Sequence, residues 1–315
     1  MKTKIALLLG GLSKEREVSL NTGNQIYKAL DKNKYEVYKY DPKTDLKKFF
    51  QDALEKKIDL VFPALHGPYG EDGRIQGLLD LTGAPYLFSG CLASALAMDK
   101  DKSKTIAENS GVGVIEGTKI KKDQSAEAEK FLEKNKNGAV VKPDQLGSSV
   151  GISIVKNKAE LKQALELAFK LGEEVLLERF VKGRELTVTV MGNKNPEALP
   201  VIEIIPKNAS WFDYKSKYLA GAADEICPAE IPDDIKEKVQ DGAVKAFEAI
   251  GCRDLARADF IWDEETDKIY FLEINTIPGM TATSLVPKAA EAAGMPFKEF
   301  LDELISNKLR SGEKQ

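Results

Sequence analysis

Histidine is nearly absent: the 315 residues hold one, His66, beside three cysteines, Cys91, Cys227 and Cys252. A multi-histidine zinc centre is therefore excluded. The scattered thiols, with no C-x-x-C pair, make neither a metal knuckle nor an even disulfide framework. They read as structural thiols of a protein kept in a reducing, cytoplasmic compartment. Charge of one sign is also scarce, since 46 Lys and Arg against 50 Asp and Glu leave a formal net charge of −4. Neither nucleic acid nor an anionic membrane is favoured as a general partner. No stretch reaches the roughly 18 apolar residues of a membrane span. Met1–Leu12 places lysines before an apolar run as a signal peptide does. The run stops at Gly10-Gly11, however, and Lys14–Glu17 follow in place of a small-residue cleavage site, so a buried first strand is expected. G-x-G-x-x-G and G-x-x-x-x-G-K-[ST] are both missing, which leaves no dinucleotide fingerprint and no Walker A loop. Repeats, low-complexity tracts and long linkers are missing too.

What is present is the composition of a globular protein, 43% hydrophobic and 30% charged. The length allows two or three domains that together bury about 75% of the unfolded surface. Ile5–Leu9, Tyr35–Tyr40 and Leu60–Ala64 read as strands, with helical stretches at Val18–Leu30 and Leu46–Lys56 between them. Such alternation predicts an open parallel sheet whose ligands bind beyond the strand C-terminal ends, here Gly10–Glu15, His66-Gly67 and Tyr86–Gly90. Glu15 fits a helix-start acid that complements the macrodipole. His66 fits either loop packing or a substrate contact. Changes of domain are expected near Ser89–Met98 and Val181–Glu185, and Lys119, Lys121 and Lys122 read as a solvated face.

The chemistry concentrates in Leu255–Pro287, LARADFIWDEETDKIYFLEINTIPGMTATSLVP. Two strands alternate with period two. Ala256, Ala258, Phe260 and Trp262 face one way and Arg257 and Asp259 the other; in the second strand Tyr270, Leu272 and Ile274 are expected on the apolar side, opposite Glu273 and Asn275. A register that keeps the apolar faces together sets Asp259 across from Glu273. Two carboxylates about 4 Å apart repel by about 4 kcal/mol at an effective dielectric near 20, which makes sense mainly with a cation between them. Asp, Glu and Asn are hard oxygen ligands suited to Mg²⁺ bridged to phosphates. A merely solvated acidic hairpin face is the alternative.

Ala139–Gly151, AVVKPDQLGSSVG, supplies a lysine at a strand end and a Gly/Ser loop whose backbone N–H groups and hydroxyls suit phosphate oxygens, although a plain hairpin loop would look similar. Val175–Phe180 leads through Val181–Glu185 into Leu186–Met191, a crossover suited to an adenine, with Glu185 on the ribose; ordinary strand-edge charges explain these residues equally well. Pro206–Ala222 is aromatic and basic with few core signals, as a flap over a site or an irregular surface loop would be.

Taken together, LLGGLSKEREVSL, ALHGPYGEDG, ASALAMDK, VVKPDQLGSSVG, DYKSKY, ARADF and LEINTIPGMTATSLVP resemble, in order and spacing, the D-alanine–D-alanine ligase family of the ATP-grasp superfamily. The resemblance spans nearly the whole chain. It implies an α/β fold of ATP-grasp architecture: an N-terminal open parallel α/β domain (1–97), a central domain (98–183) and a C-terminal domain (184–315), the last two clamping ATP. It implies ligation of two D-alanines for peptidoglycan precursors, with ATP as co-substrate, two Mg²⁺ or Mn²⁺ ions, and a homodimer. Carried over residue by residue, Lys100 and Lys142 would contact ATP phosphates and Ser149 with its loop the γ-phosphate. Glu178, Phe180 and Val181 would hold adenine and Glu185 the ribose. Asp259, Glu273 and Asn275 would bind metal. Glu15 would take the first D-alanine's ammonium and join Ser148 and Tyr218 in a triad that locks the flap, with Lys217 reaching toward the transferred phosphoryl group. Arg257 and the Gly279 N–H would stabilise the oxyanion, and Ser284 and Leu285 would hold the second carboxylate. Phe212 stands where the family often has tyrosine, so a hydroxyl role is lost there, and Ile277 departs neutrally. A relative that uses D-lactate or another D-amino acid as acceptor is the nearest alternative, and Tyr218 favours an amine acceptor over the hydroxy acid. A nucleotide-binding regulator without catalysis is another, against which every charged motif position is present.

Overall fold

The computed structural model describes residues 2–145, 151–207, 223–281 and 283–311. The first sheet is built as the alternating pattern predicts, from β1 (Thr3–Leu8), α1 (Arg16–Ala29), β2 (Tyr35–Tyr40), α2 (Leu46–Leu54), β3 (Leu60–Pro63) and α3 (Arg74–Thr82). Its order is β2-β1-β3 and both pairings are parallel. Ile5–Leu8 and Leu60–Phe62 are completely buried, because helices cover both faces of such a sheet and no side chain of its centre meets water.

The helix pair α4 (Cys91–Met98) and α5 (Lys100–Asn109) follows. Asp99 ends the first and caps the second, accepting from Lys102 N at 3.0 Å. A four-stranded antiparallel sheet comes next: β4 (Gly117–Lys121), α6 (Ser125–Lys134), β5 (Ala139–Pro143), β6 (Ser153–Val155), α7 (Lys158–Ala168) and β7 (Glu174–Arg179), in the order β4-β7-β5-β6. Its helices pack on one face, setting Leu132 and Leu161 against Ile120, Val141 and Val175 of the strands.

The third sheet carries β8 (Arg184–Gly192), β9 (Glu197–Ala198), β10 (Ile202–Pro206), β11 (Ala223–Ile226), β12 (Asp254–Asp263) and β13 (Lys268–Asn275), with β8 between β10 and β12. One face packs on α8 (Asp233–Ile250) together with Ala93, Ala97 and Ala107 of the helix pair. Met191, Ile202 and Leu255 instead join a core with α9 (Leu285–Ala292), α10 (Phe297–Ser311) and the first sheet. Ion pairs Lys34–Asp302 (2.6 Å) and Lys298–Asp31 (3.1 Å) border that contact.

One face assignment differs from the sequence pattern. Asp259 pairs with Glu273, but Phe260 pairs with Phe271, so β13 carries an extra residue, Leu272, in a bulge. The bulge shifts the phase of the strand: Phe271 and Ile274 are buried, whereas Tyr270 and Leu272 are only half-buried. Phe271 meets Phe260 edge to face at 5.7 Å between ring centroids, a pairing worth about 0.5–1.5 kcal/mol beyond area burial. Tyr270 turns to Arg179, whose guanidinium donates to its hydroxyl at 3.2 Å.

Candidate active site

The acidic wall forms as burial requires. Residues opposite each other in an antiparallel pair share a face, and the register sets Asp259 against Glu273 and Arg257 against Asn275. Asp259, 4% exposed, accepts a two-pronged bond from Arg257 Nε and Nη2, both at 2.9 Å, and one from Thr187 Oγ1 at 2.5 Å. Thr187 is placed for this because β8 pairs with β12 at Thr187–Asp259. Lys100 Nζ stands 3.2 Å from Glu273 Oε2. Asn275 turns its amide oxygen to Ile277 N at 3.1 Å, which fixes its side chain beside the wall.

A second ionic group lies next to it. Lys142 on β5 is two residues from Val140, which pairs with Glu178 of β7, so both charged side chains occupy one face. Lys142 Nζ lies 2.6 Å from Glu178 Oε2, and the other carboxylate oxygen is held by Lys104 of α5. Glu178 is 2% exposed. Burial pushes the Lys104 ammonium well below the ordinary lysine range; nearby Lys142 and Lys100 act the same way, and Glu273 opposes them. These interactions join Lys100, Lys104, Lys142, Glu178 and Glu273 in one electrostatic unit. The sequence reading missed Lys104, although its i+4 spacing from Lys100 puts both ammoniums on one helix face.

Glu178 is thus engaged by two lysines rather than lying at an open strand edge. Phe180 donates its N–H to Gly138 O at 3.0 Å, and Val181 is buried. The crossover passes close to β12: a β-carbon on Gly183 would fall 2.3 Å from the Trp262 carbonyl oxygen. Glu185 follows on β8, paired with Ile204 and Ile261.

Lys119 is not a solvated residue. It faces four carboxylates, with Asp144 nearest at 2.7 Å, whereas Lys121 remains 66% exposed, as expected.

The strand ends of the first sheet form a separate polar group. Glu15 caps α1 without a side-chain hydrogen bond to that helix. Ser13 Oγ donates to His66 O at 2.6 Å and accepts from Glu15 N at 3.1 Å. His66 is buried, 2.9 Å from Thr22 Oγ1 and 3.8 Å from Glu71 Oε1, and Glu71 accepts from Gly67 N at 2.6 Å. A β-carbon at Gly67 would fall 2.2 Å from Glu15 Oε2, and Gly67 adopts φ +72°. The carboxylate of Glu15 therefore rests against the Gly67 backbone. Beside it opens a cavity of about 160 Å³, lined by Gly10, Gly11, His66, Tyr69 and Leu78 among others.

At the far end of the Leu255–Pro287 stretch, Ser284 stands just before α9 and accepts from Thr281 N at 3.0 Å. A β-carbon on Gly279 would lie 3.0 Å from its Oγ, so Gly279 rests against Ser284, and Leu285 opens α9 next to it. Ser148, Ser149, Phe212, Lys217 and Tyr218 lie outside the described residues.

Among the described residues, no three His, Cys, Asp or Glu side chains gather as a metal cluster. The wall offers two carboxylates and an amide, all hard oxygen donors. Such a set fits Mg²⁺ that takes its other positions from phosphate and water.

This geometry has close counterparts. Family models described as "D-ala D-ala ligase N-terminus" and "D-ala D-ala ligase C-terminus" match residues 4–49 and 39–91, and residues 106–306. The chain belongs to the D-alanine–D-alanine ligase family. A D-alanine–D-alanine ligase of Desulfotalea psychrophila is 46% identical over 306 residues, covering 96% of this chain and 94% of its own length. One from Syntrophobacter fumaroxidans is 46% identical over 305 residues, covering 96% and 97%. The crystal structure of the Bacillus anthracis enzyme complexed with ATP superimposes with a TM-score of 0.83 at 36% identity, over 99% of this chain and 98% of that one. The VanG D-Ala:D-Ser ligase of Enterococcus faecalis gives 0.83 at 31% identity, over 98% and 100%. The mixed parallel and antiparallel α/β architecture is that of the family's ATP-grasp fold. No helix among the described residues is long and apolar enough to cross a membrane.

Proposed function

We propose that the chain joins two D-alanines at the expense of ATP, releasing D-alanyl-D-alanine, ADP and phosphate for peptidoglycan precursors. Within this proposal, segments 1–97, 98–183 and 184–315 are three domains, the protein is a cytoplasmic homodimer, and the site residues act as follows. The observation that carries it is the Asp259–Glu273 wall, held in register with Arg257 and Lys100 against it in a chain of this family.

Lys100 and Lys142 receive the phosphates, Glu185 the ribose, and the strand from Glu178 to Val181 the adenine. Glu15 binds the ammonium of the first D-alanine, whose carboxylate oxygen attacks the γ-phosphorus as the bond to ADP breaks. Mg²⁺ ions held by Asp259, Glu273 and Asn275 would neutralise phosphate charge and screen the incoming carboxylate from it. The neutral amine of the second D-alanine, its carboxylate held at Ser284 and Leu285, then attacks the acyl-phosphate carbonyl carbon. Arg257 and the Gly279 N–H stand for the oxygen that gains charge, phosphate leaves, and the amine gives up a proton. A single such donor typically contributes about 3–4 kcal/mol. Ser148, Ser149, Lys217 and Tyr218 complete the proposed set around the phosphoryl group and first D-alanine.

ADP release tests this reading directly. D-alanine with ATP and Mg²⁺ is expected to support turnover and L-alanine is not; absence of D-alanine-dependent ADP release would overturn it. The likeness to a D-Ala:D-Ser ligase makes D-serine, with D-lactate, the informative competing acceptor. Dipeptide is expected to predominate when each competes with D-alanine.

Gly67→Ala gives a local test. The new methyl group occupies the space of the Glu15 carboxylate, and a left-handed backbone at alanine costs about 1–2 kcal/mol besides. The KM of the first D-alanine is expected to rise by about tenfold or more, while that of ATP holds. Equal changes in both would detach Glu15 from the ammonium role.

A further inference from the structure

Lys119 belongs to none of the motifs above. Its Nζ stands 2.7 Å from Asp144 Oδ2, 3.3 Å from Glu174 Oε2, 3.5 Å from Asp101 Oδ2 and 3.6 Å from Asp99 Oδ1. Three separate parts of the chain supply these carboxylates: the start of α5, the residue after β5, and the first residue of β7. Lys102 also pairs with Asp99 at 2.5 Å and Lys121 stands 3.9 Å from Glu174, but Lys119 meets all four carboxylates, and although burial opposes it, they raise its ammonium above the ordinary lysine range.

Asp144 is the residue that makes this arrangement consequential. It is 1% exposed. Its N–H donates to Glu174 O at 3.2 Å, its carbonyl accepts from Lys100 N at 3.4 Å, and its Oδ1 accepts from Asp101 N at 3.1 Å. One residue thus ties the strand that carries Lys142 to the first turn of the helix that carries Lys100. The two ammoniums stand on elements of different cores, α5 in that of the third sheet and β5 in that of the second; Glu178, paired with both Lys104 and Lys142, is a second link between those elements. A buried carboxylate left without its cation takes up a proton or moves toward water, and either loosens the tie.

We propose that Lys119 is a positioning residue for nucleotide binding: by neutralising Asp144, it fixes the spacing of Lys100 and Lys142 without touching ATP itself. The inference rests on the reading of those two lysines as phosphate ligands.

The test compares Lys119→Met, Lys119→Arg, Asp144→Ala and the Met/Ala double variant in the full-length enzyme. Steady-state KM for ATP and D-alanine, ATP binding by calorimetry without D-alanine, and the thermal midpoint are measured. Lys119→Met and Asp144→Ala are each expected to weaken ATP about tenfold in both KM and binding, with the KM of D-alanine within about twofold. The double variant should be no worse than either single one, since both break the same tie. Arginine, which reaches the same carboxylates, should restore most of the affinity. Loss of thermal stability with unchanged ATP affinity would mean a purely structural ion cluster and overturn the inference, as would equal losses for ATP and D-alanine or strict additivity. Should Lys119→Met fail to fold, Asp144→Ala decides on the same criterion. Calorimetry separates the two levels of argument: a wild type that binds ATP but ligates no D-alanine refutes the function, while the variants still report on the tie.

Discussion

Glu273→Gln is expected to lower kcat by about 10³-fold or more while the thermal midpoint moves by only a few degrees. The two halves of that expectation come from different parts of the geometry. Glu273 lies opposite Asp259 on one sheet face, with Lys100 3.2 Å away, so its charge lies in the space assigned to the phosphates. Glutamine keeps the shape and one oxygen acceptor but removes a full negative charge from the wall, and with it the anchor for divalent ions between protein and triphosphate. Losing about 4 kcal/mol of transition-state stabilisation corresponds to roughly three decades in rate. Stability should largely hold because Glu273 is 25% exposed and the glutamine oxygen can still accept from Lys100; since Lys100 itself is buried, the lost charge should cost about 1–2 kcal/mol, a shift of a few degrees. The Mg²⁺ concentration needed for half-maximal residual activity should rise as well. A glutamine enzyme with near-normal kcat would remove the metal-bridged role of the wall; one that fails to fold would show that Glu273 is structural.

The wall was legible in the sequence because alternation over seven or eight residues fixes side-chain direction, and one buried face leaves little freedom in register. The same reasoning failed past Leu272. A bulge inserts one residue without any compositional mark there, and Phe271 rather than Tyr270 and Leu272 takes the buried place. The parallel first sheet was legible for a different reason: its central strands are buried on both faces and appear as unbroken apolar runs. Long-range charge was not legible. Lys119 lies in a lysine-rich segment that reads as solvated, and the four carboxylates around it come from positions 99, 101, 144 and 174. Nothing local marks such a gathering. Lys104 was more accessible, since helical spacing from Lys100 marks its direction. Its partner Glu178, 74 residues away, becomes apparent only once α5 and β7 meet.

That buried group yields the second large effect, in which two substitutions at one ion cluster should act in opposite measure. Glu178 holds Lys104 and Lys142, and all three are at most 6% exposed. Glu178→Gln leaves two buried ammoniums facing each other without their shared anion, and breaking a buried pair in this way costs about 3–5 kcal/mol. Lys104→Met leaves one lysine with one glutamate, a balanced pair, and puts an apolar chain where burial already opposes the charge. Its cost should stay below about 1.5 kcal/mol, as for a well-packed apolar replacement. The pH dependence supplies the sign. Because burial sets the folded Lys104 below the ordinary lysine value of 10.5, the unfolded chain binds more protons between those two points. Folding stability should therefore rise with pH across that window and level off above it, and the methionine variant should lack this rise. Urea denaturation of wild type and both variants, near neutral pH and again near pH 10, measures all three quantities. A methionine variant as unstable as the glutamine one would mean that Lys104 is a needed partner of Glu178 rather than a surplus charge.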